Sequence, residues 1–257
     1  MMIRYIPADP AGNLTAIVLS PVAAQDRAKI AAEMMARCPE GFEQVGFADE
    51  TSLTGDLPTL CMMGGEFCGN ATRAFACYAA KVRGRGETRL AVSVSGAREP
   101  VPVAVDLRQN RAYAQMPLPY ALEWISVNKQ KIPLVRMEGI DHALLLDAAP
   151  SPEAAERVLA AMPKQDARGV LFVQGGKMTP LVEVAATGTR VWESSCGSGT
   201  VALAWYLAQN LADGMYAFAF DEPGGRLEAR VAMRAGRAAQ IEMGGAVKLG
   251  EEAEIEL

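Results

Sequence analysis

An internal repeat restricts the fold of this chain more than any other feature of its sequence. The eleven residues CGNATRAFACY, from Cys68 to Tyr78, align with CGSGTVALAWY, from Cys196 to Tyr206, and six of the positions are identical. Each copy continues into an apolar stretch with helical periodicity and then into alternating strand patterns. Repetition on this scale predicts two structural copies of one unit, each with a helix that starts at a Cys-Gly pair.

The segments around the repeat predict what each copy contains. Alternating apolar residues in NLTAIVL (13–19) and GVLFVQ (169–174) predict strands, whereas AQDRAKIAAEMMARCP and SPEAAERVLAAMP predict helices that a proline ends. The proline-rich QMPLPY (115–120) is the expected boundary. We therefore predict an α+β fold of two domains, residues 1–116 and 117–257, related by a pseudo-twofold axis. Each is expected to be a twisted, mostly antiparallel sheet around a central helix, with the active site in the cleft between them.

Charge and hydropathy exclude several classes of partner. The 257 residues include 25 Lys and Arg against 30 Asp and Glu, a net charge of −5, whereas nucleic acids and anionic membranes bind basic surfaces. No stretch reaches the ~18 apolar residues of a membrane helix, and the first residues lack the basic flank and apolar run of a secretory signal. We expect a cytoplasmic protein that binds a small molecule, with no nucleic acid and no membrane as partner. The sequence leaves a homodimer open.

The types of residue present also limit the chemistry. His142 is the only histidine, which excludes histidine-rich metal sites and mechanisms that need two imidazoles. Neither a dinucleotide-binding GxGxxG motif nor a phosphate-binding GxxxxGK[ST] loop occurs. These absences leave a pyridoxal enzyme open, although no lysine stands out as a Schiff-base candidate. We expect no metal and no cofactor. An odd number of cysteines without a CxxC pair is expected to consist of free thiols: Cys38, Cys61, Cys68, Cys77 and Cys196.

A Cys-Gly pair at a helix start combines an anion site with a reactive thiol. Small residues leave the first-turn N–H groups uncovered, and the partial positive charge of that end attracts a carboxylate. The same field is expected to lower the pKa of the thiol. Inversion at an α-carbon needs a base on one face and an acid on the other, so Cys68 and Cys196 are predicted to be that pair. The residues expected to bind the substrate carboxylate are Gly69, Asn70, Gly197 and Ser198, with hydroxyl donors from Thr72 and Thr200.

At these residues the chain resembles the diaminopimelate epimerase-like superfamily of pyridoxal-independent racemases. The resemblance spans the whole length, through Gly12-Asn13, Gln44, EFCGNAT, a histidine near the middle, the WE-to-CGSGT region and the PGG at Pro223–Gly225. It implies the diaminopimelate epimerase-like fold, with Cys68 in one half and Cys196 in the other as exchanging acid and base. It also implies substrate contacts from Gln44, and from Asn13 and Glu193 near the α-amino group.

The chain departs from the diaminopimelate epimerase pattern where that pattern binds the far end of the substrate. The family's GNPH is replaced by GIDH ending at His142, Gly169 stands where an asparagine opens a strand, and the loop before Cys196 is shortened to WESS. Without those groups the second charged end of diaminopimelate would lack polar partners, at a cost of a few kcal/mol. The combination looks most like the histidine racemase branch, which implies interconversion of L- and D-histidine.

Other functions remain open from the sequence alone. One is racemisation of another amino acid, of the diaminopimelate or proline type, because proline racemases carry SPCGTGT, close to SSCGSGT here, although their first motif is CGH. Another is a small-molecule binding protein that keeps the scaffold without the chemistry. The phenazine-forming relatives carry an aspartate at the position of Cys196, which makes them a poor match. His142 corresponds to the family's histidine, and we expect it to be buried and structural.

Overall fold

The computed structural model describes residues 1–185 and 188–257, and over these residues the fold is α+β. The strands are β1 Met2–Asp9, β2 Thr15–Val18, β3 Gln44–Asp49, β4 Thr59–Met62, β5 Glu87–Val94, β6 Val101–Asp106, β7 Arg111–Gln115, β8 Ala121–Val127, β9 Gln130–Arg136, β10 Ile140–Leu146, β11 Ala167–Gln174, β12 Lys177–Val184, β13 Thr189–Trp192, β14 Gly214–Glu222, β15 Gly225–Arg234, β16 Arg237–Ala246, β17 Lys248–Leu249 and β18 Ala253–Glu256. The α-helices are α1 Arg27–Arg37, α2 Gly69–Val82, α3 Pro152–Ala161 and α4 Gly197–Ala208. In this described part of the chain, none of the helices has the length and apolar character needed to cross a membrane.

The chain divides into two compact units. The first consists of Met1–Gln115 together with Gly244–Leu257, and the second of Met116–Met243. The division falls in the proline-rich segment, one residue from the predicted boundary. The end of the chain differs from the prediction, which assigns all of 117–257 to one half. The difference arises because β17 and β18 both pair antiparallel with β1 and so complete the first unit.

In the first unit a mixed sheet packs around helix α2. Strand β2 is antiparallel to β1 and parallel to β3. Strand β4 is antiparallel to β3 and parallel to β5. Strands β5, β6 and β7 then form an antiparallel meander. Helix α2 is buried over nearly its whole length, with Phe75 fully enclosed, because its alanines allow strands to approach closely. Gly84, with φ 62°, takes the left-handed conformation that follows the end of this helix.

The second unit has the same kinds of element in its own arrangement. Strands β8, β9 and β10 are antiparallel, β11 runs parallel to β10, and β11, β12 and β13 are antiparallel. Strands β14 and β15 form a hairpin that pairs Glu222 with Gly225. Helix α3 begins after Ser151, whose hydroxyl accepts the Ala154 N–H at 3.2 Å. Helix α4 packs against β15 and β10. The helices predicted from the sequence are thus confirmed as α1 to α4.

Candidate active site

Cys68 is the N-cap residue of α2. Its backbone is extended, with φ −127° and ψ 113°, and its Sγ accepts the N–H of Ala71 at 3.5 Å. The carbonyl of Cys68 accepts both the N–H of Thr72 at 3.0 Å and its hydroxyl at 2.7 Å. The sulfur therefore lies over the first-turn amides, as the sequence predicts. The Thr72 hydroxyl, expected to face a substrate, instead donates within the helix, because a fully buried hydroxyl needs a local acceptor.

The pKa of the Cys68 thiol is raised, which contradicts the lowering expected from its place at a helix start. Burial is the largest cause, and the carboxylate of Glu66 adds to it. The backbone N–H groups of Ala71 and Asn70 and the side chain of Gln44 act in the opposite direction, since they stabilise the thiolate. The favourable field of the helix is therefore present, but the loss of water outweighs it in the free protein.

Asn13 and Gln44 form a polar group that belongs to the same unit as Cys68. The parallel pairing of β2 with β3 sets Thr15 opposite Gln44, and the Gln44 amide donates to the Thr15 hydroxyl at 2.8 Å. The same amide donates to Asn13 Oδ1, while Asn13 Nδ2 donates to Glu43 at 2.9 Å. The Gln44 side chain also acts to lower the pKa of the Cys68 thiol, so these predicted binding residues influence the thiol electrostatically.

Arg73 is a buried cation below the first turn of α2, and the sequence analysis did not single it out. It is 0% exposed, and its Nη2 donates to Asn70 Oδ1 at 2.8 Å. Its remaining acceptors are backbone carbonyls, those of Pro10, Ala112, Gly245 and Ala246. Burial lowers the pKa of Arg73 to about 10, so the guanidinium keeps its charge at neutral pH. A lone arginine within the alanine-rich pattern of α2 was the available signal.

Cys196 is the N-cap residue of α4, but the first turn of that helix is capped differently. Its backbone is again extended, with φ −121° and ψ 103°, and its side chain forms no cap hydrogen bond. Instead the carboxylate of Glu222, at the end of β14, accepts the Cys196 N–H and the Thr200 hydroxyl, each at 2.6 Å. The Thr200 hydroxyl is therefore committed to Glu222 and not to a substrate, contrary to expectation.

The pKa of the Cys196 thiol is raised well above its ordinary value. Burial is the largest cause, since the residue is only 4% exposed. The carboxylates of Glu193 and Glu222 raise the pKa further by repelling a thiolate, and Glu193 also hydrogen-bonds the thiol. Ser198 opposes them, with its Oγ 3.5 Å from the sulfur. As at Cys68, the predicted lowering of the pKa is wrong, and here negative charge adds to burial.

His142 supports Ser198 from strand β10. Its Nε2 lies 2.9 Å from Ser198 Oγ, and the residue is fully buried, so the expected structural burial is observed. Burial lowers the pKa of the imidazole to about 3, which keeps it neutral. The ring occupies space that Gly169 leaves open on β11, where an added Cβ would lie 2.1 Å from Nδ1. The glycine that distinguishes this chain from the diaminopimelate epimerase pattern is therefore matched to the histidine.

Each unit thus presents one thiol at the start of a helix, with its own set of polar groups. In the first unit these are Asn13, Gln44, Gly69 and Asn70, and in the second they are Glu193, Gly197 and Ser198. The other cysteines do not begin a helix: Cys38 follows the end of α1, Cys61 is on β4, and Cys77 is part of the core around α2. A thiol at a helix N-cap can release a proton and its thiolate can accept one, which is acid–base chemistry.

Comparison with known proteins adds independent findings. A family model described as "Histidine racemase CntK N-terminal domain" matches residues 2–255. The histidine racemase of Fusobacterium nucleatum subsp. nucleatum is 31% identical, over 80% of this chain and 81% of its own. The histidine racemase of Staphylococcus aureus is 26% identical, over 88% of this chain and 87% of its own.

A solved structure shares the fold. The crystal structure of a phenazine biosynthesis protein of the PhzF family from Enterococcus faecalis superposes with a TM-score of 0.67, covering 100% of both chains at 16% identity. At that identity the similarity concerns the arrangement of strands and helices, and it supports the α+β architecture.

Proposed function

The chain belongs to the histidine racemase family, and we propose that it interconverts L- and D-histidine without pyridoxal phosphate, with Cys68 and Cys196 as acid and base. The observation that carries the mechanism is the repeated position of the cysteines, since two repeat-equivalent cysteines each occupy the N-cap position of a helix. A thiolate at that position accepts hydrogen bonds from first-turn amides, and a thiol there can donate its proton.

In the proposed reaction one thiolate removes the α-proton and the other thiol delivers a proton to the opposite face. The Cα–H bond breaks as an S–H bond forms on one cysteine, and the S–H bond of the other breaks as the new Cα–H bond forms. Between these transfers the α-carbon is planar, and its negative charge spreads into the carboxylate. No proton is gained or lost overall, and the two cysteines end with exchanged protonation states.

This reaction requires both sulfur atoms to reach one α-carbon from opposite sides. We propose that the two repeat copies are related by a pseudo-twofold axis and bind the substrate between them. Closure over the substrate would exclude water, which matters because an unactivated α-proton is very weakly acidic.

The polar groups of each unit have proposed roles in binding the amino-acid backbone. First-turn N–H groups at Gly69, Asn70, Gly197 and Ser198 bind the α-carboxylate in this proposal, because helix N-termini attract anions. The α-ammonium group is assigned to Asn13, Gln44 and Glu193. The carboxylate of Glu193 supplies the negative charge that an ammonium group needs, and the amides of Asn13 and Gln44 supply acceptor oxygens.

The test is racemisation by the purified full chain with no added cofactor. L-Histidine and, separately, D-histidine are incubated with the protein, and the enantiomers are quantified by chiral chromatography. Both directions are expected to reach the same equal mixture. The variants Cys68→Ser and Cys196→Ser are expected to lose at least 1,000-fold in rate, because a serine hydroxyl is a far weaker acid than a thiol.

Two controls make the result specific. Cys61→Ser changes a half-buried cysteine to which no role is assigned, and it is expected to retain the activity of the unaltered protein. Proline and diaminopimelate tested in parallel separate histidine racemisation from the other activities open to this fold. Absence of turnover with histidine, or full activity in either Cys68→Ser or Cys196→Ser, would overturn the proposal.

A further inference from the structure

The two cysteine-capped helices differ in the sign of the buried charge beside them. At α4 the buried group is the carboxylate of Glu222, which is 7% exposed and contacts the N-cap residue itself. At α2 it is the guanidinium of Arg73, which is fully buried one turn into the helix. In the sequence repeat Arg73 aligns with Val201, so this charge is present in only one copy.

The contacts of Glu222 favour a carboxylate anion. Both oxygens accept hydrogen bonds at 2.6 Å, one from the Cys196 N–H and one from the Thr200 hydroxyl. The positive end of the α4 dipole stabilises the same anion. The partial positive charge at the N-terminus of α4 therefore stabilises the Glu222 carboxylate, and it is less available to stabilise a thiolate at Cys196. Glu193 adds a second negative charge near this sulfur, and His142, behind Ser198, is neutral.

Arg73 presents the opposite case, a buried cation whose observed hydrogen-bond acceptors are all uncharged. Its hydrogen bonds run to an amide oxygen and to backbone carbonyls, and no carboxylate pairs with it in the described part of the chain. The titratable groups that face it are Cys68, Cys77, Tyr113 and Arg111. Burial raises the pKa of Cys77 to about 12, so that thiol stays neutral. The anion that best balances Arg73 is therefore a thiolate at Cys68, although Glu66 partly opposes it.

We propose that Arg73 and Glu222 are positioning residues that make Cys68 the more acidic of the two thiols, so that Cys68 ionises first and acts as the base while Cys196 stays protonated as the proton donor. This inference rests on the proposed racemase function. It assigns the singly ionised enzyme to one of its two catalytic forms, the form that attacks the substrate from the Cys68 side. After one turnover the protonation states are exchanged, and Glu222 then drives the return to the resting form.

The test measures the ionisation of each thiol separately, without turnover. The full chain is treated with iodoacetamide at a series of pH values, and alkylation of Cys68 and Cys196 is quantified by peptide mass spectrometry. The pH at which each rate is half-maximal reports thiolate formation, and it does not depend on how accessible the sulfur is. The midpoint of Cys68 is expected to lie at least one pH unit below that of Cys196, about a tenfold difference in thiolate fraction at a given pH.

Variants connect the midpoints to the two charged residues. Glu222→Gln keeps an acceptor for the Cys196 N–H but removes the charge, and it is expected to lower the Cys196 midpoint by about one unit, roughly tenfold in thiolate fraction. Arg73→Met is expected to raise the Cys68 midpoint, and Arg73→Lys, which restores a cation, to return it toward its original value. Glu156→Gln, which alters an exposed carboxylate on α3, serves as the control with both midpoints unchanged.

The outcomes separate this inference from the proposed function. A Cys68 midpoint below that of Cys196, in a protein that does not racemise histidine, would support the charge asymmetry and overturn the proposed function. Equal midpoints, or a lower midpoint for Cys196, would overturn the asymmetry even in an active racemase. An unchanged Cys196 midpoint in Glu222→Gln would overturn the role of Glu222. If Arg73→Met fails to fold, Arg73→Lys and Glu222→Gln still decide the matter.

Discussion

Gly169→Ala tests whether the space beside His142 is as tight as the structure indicates. The two residues are opposite one another in the parallel pairing of β10 with β11. An alanine Cβ would lie 2.1 Å from Nδ1 and 2.5 Å from Cε1 of the imidazole. Non-bonded contacts lie at about 3.5 Å or more, so the ring would have to move by roughly 1.4 Å. That displacement would break the 2.9 Å contact between Nε2 and Ser198.

The expected cost has two parts. Overpacking a filled interior costs about 1–3 kcal/mol, and leaving a buried imidazole nitrogen without its partner costs about 1–3 kcal/mol. Because the ring and its neighbours will relax in part, we expect a total near 2–4 kcal/mol. For a chain of this size each kcal/mol lowers Tm by about 2–4 °C, so Gly169→Ala should melt roughly 5–15 °C below the unaltered protein.

Differential scanning calorimetry measures this shift, and two further variants isolate its cause. Gly55→Ala, whose Cβ would meet only Ser52 O at an ordinary 3.5 Å, is expected to melt within about 2 °C of the unaltered protein. His142→Ala removes the ring, so adding Gly169→Ala to it should cost little more. Equal effects of Gly169→Ala with and without the imidazole would refute the argument, because the clash would then not involve His142.

Three other predictions concern buried polar groups. The pKa of His142 is about 3 in the folded protein and 6.5 when the residue is exposed, so between these values only the unfolded chain binds a proton. As pH falls through that range, His142 should lower the free energy of unfolding by about 1.4 kcal/mol per pH unit. Urea unfolding of His142→Asn should show a shallower decline with falling pH, and parallel curves for the two proteins would contradict the prediction. Thr200→Val removes the hydroxyl that donates to Oε1 of buried Glu222 and should cost about 2 kcal/mol, measured by urea unfolding; a value near zero would contradict this contact. The pKa of Glu183 is lowered mainly by its hydrogen bond to Arg168, so this carboxylate stabilises the fold above its ordinary pKa of 4.5 and loses the effect as pH falls. Glu183→Gln should lower the free energy of unfolding by about 1 kcal/mol at pH 7 and by less at pH 3. The same difference at both pH values would refute this prediction.

The sequence predicts the local parts of this structure better than the long-range ones. The repeat places Cys68 and Cys196 at helix starts because N-cap position and helical periodicity are encoded within a few residues. The pairing of β17 and β18 with β1 joins residues that are far apart in the sequence, and no local sequence pattern predicts it. Glu222 reaches Cys196 from 26 residues away. The error in the direction of both thiol pKa values has the same origin, since burial depends on the complete fold.

Some site residues were predictable only through resemblance. Asn13 and Gln44 have no pattern of their own, and their contact follows from the register of two parallel strands. Arg73 was visible in the repeat as a mismatch with Val201, but its burial and its hydrogen bonds to uncharged acceptors emerge only in the folded unit.

The direct test of the central claim is the fate of the α-proton when L-histidine is converted in D₂O. Two bases on opposite faces predict that, at low conversion, the D-histidine formed carries deuterium at the α-carbon while the remaining L-histidine retains its original proton. Chiral separation followed by mass spectrometry measures both pools. Product that retains the original proton, or recovered L-histidine that gains deuterium as fast as product forms, would show that a single group transfers protons on both faces and would contradict the roles assigned to Cys68 and Cys196.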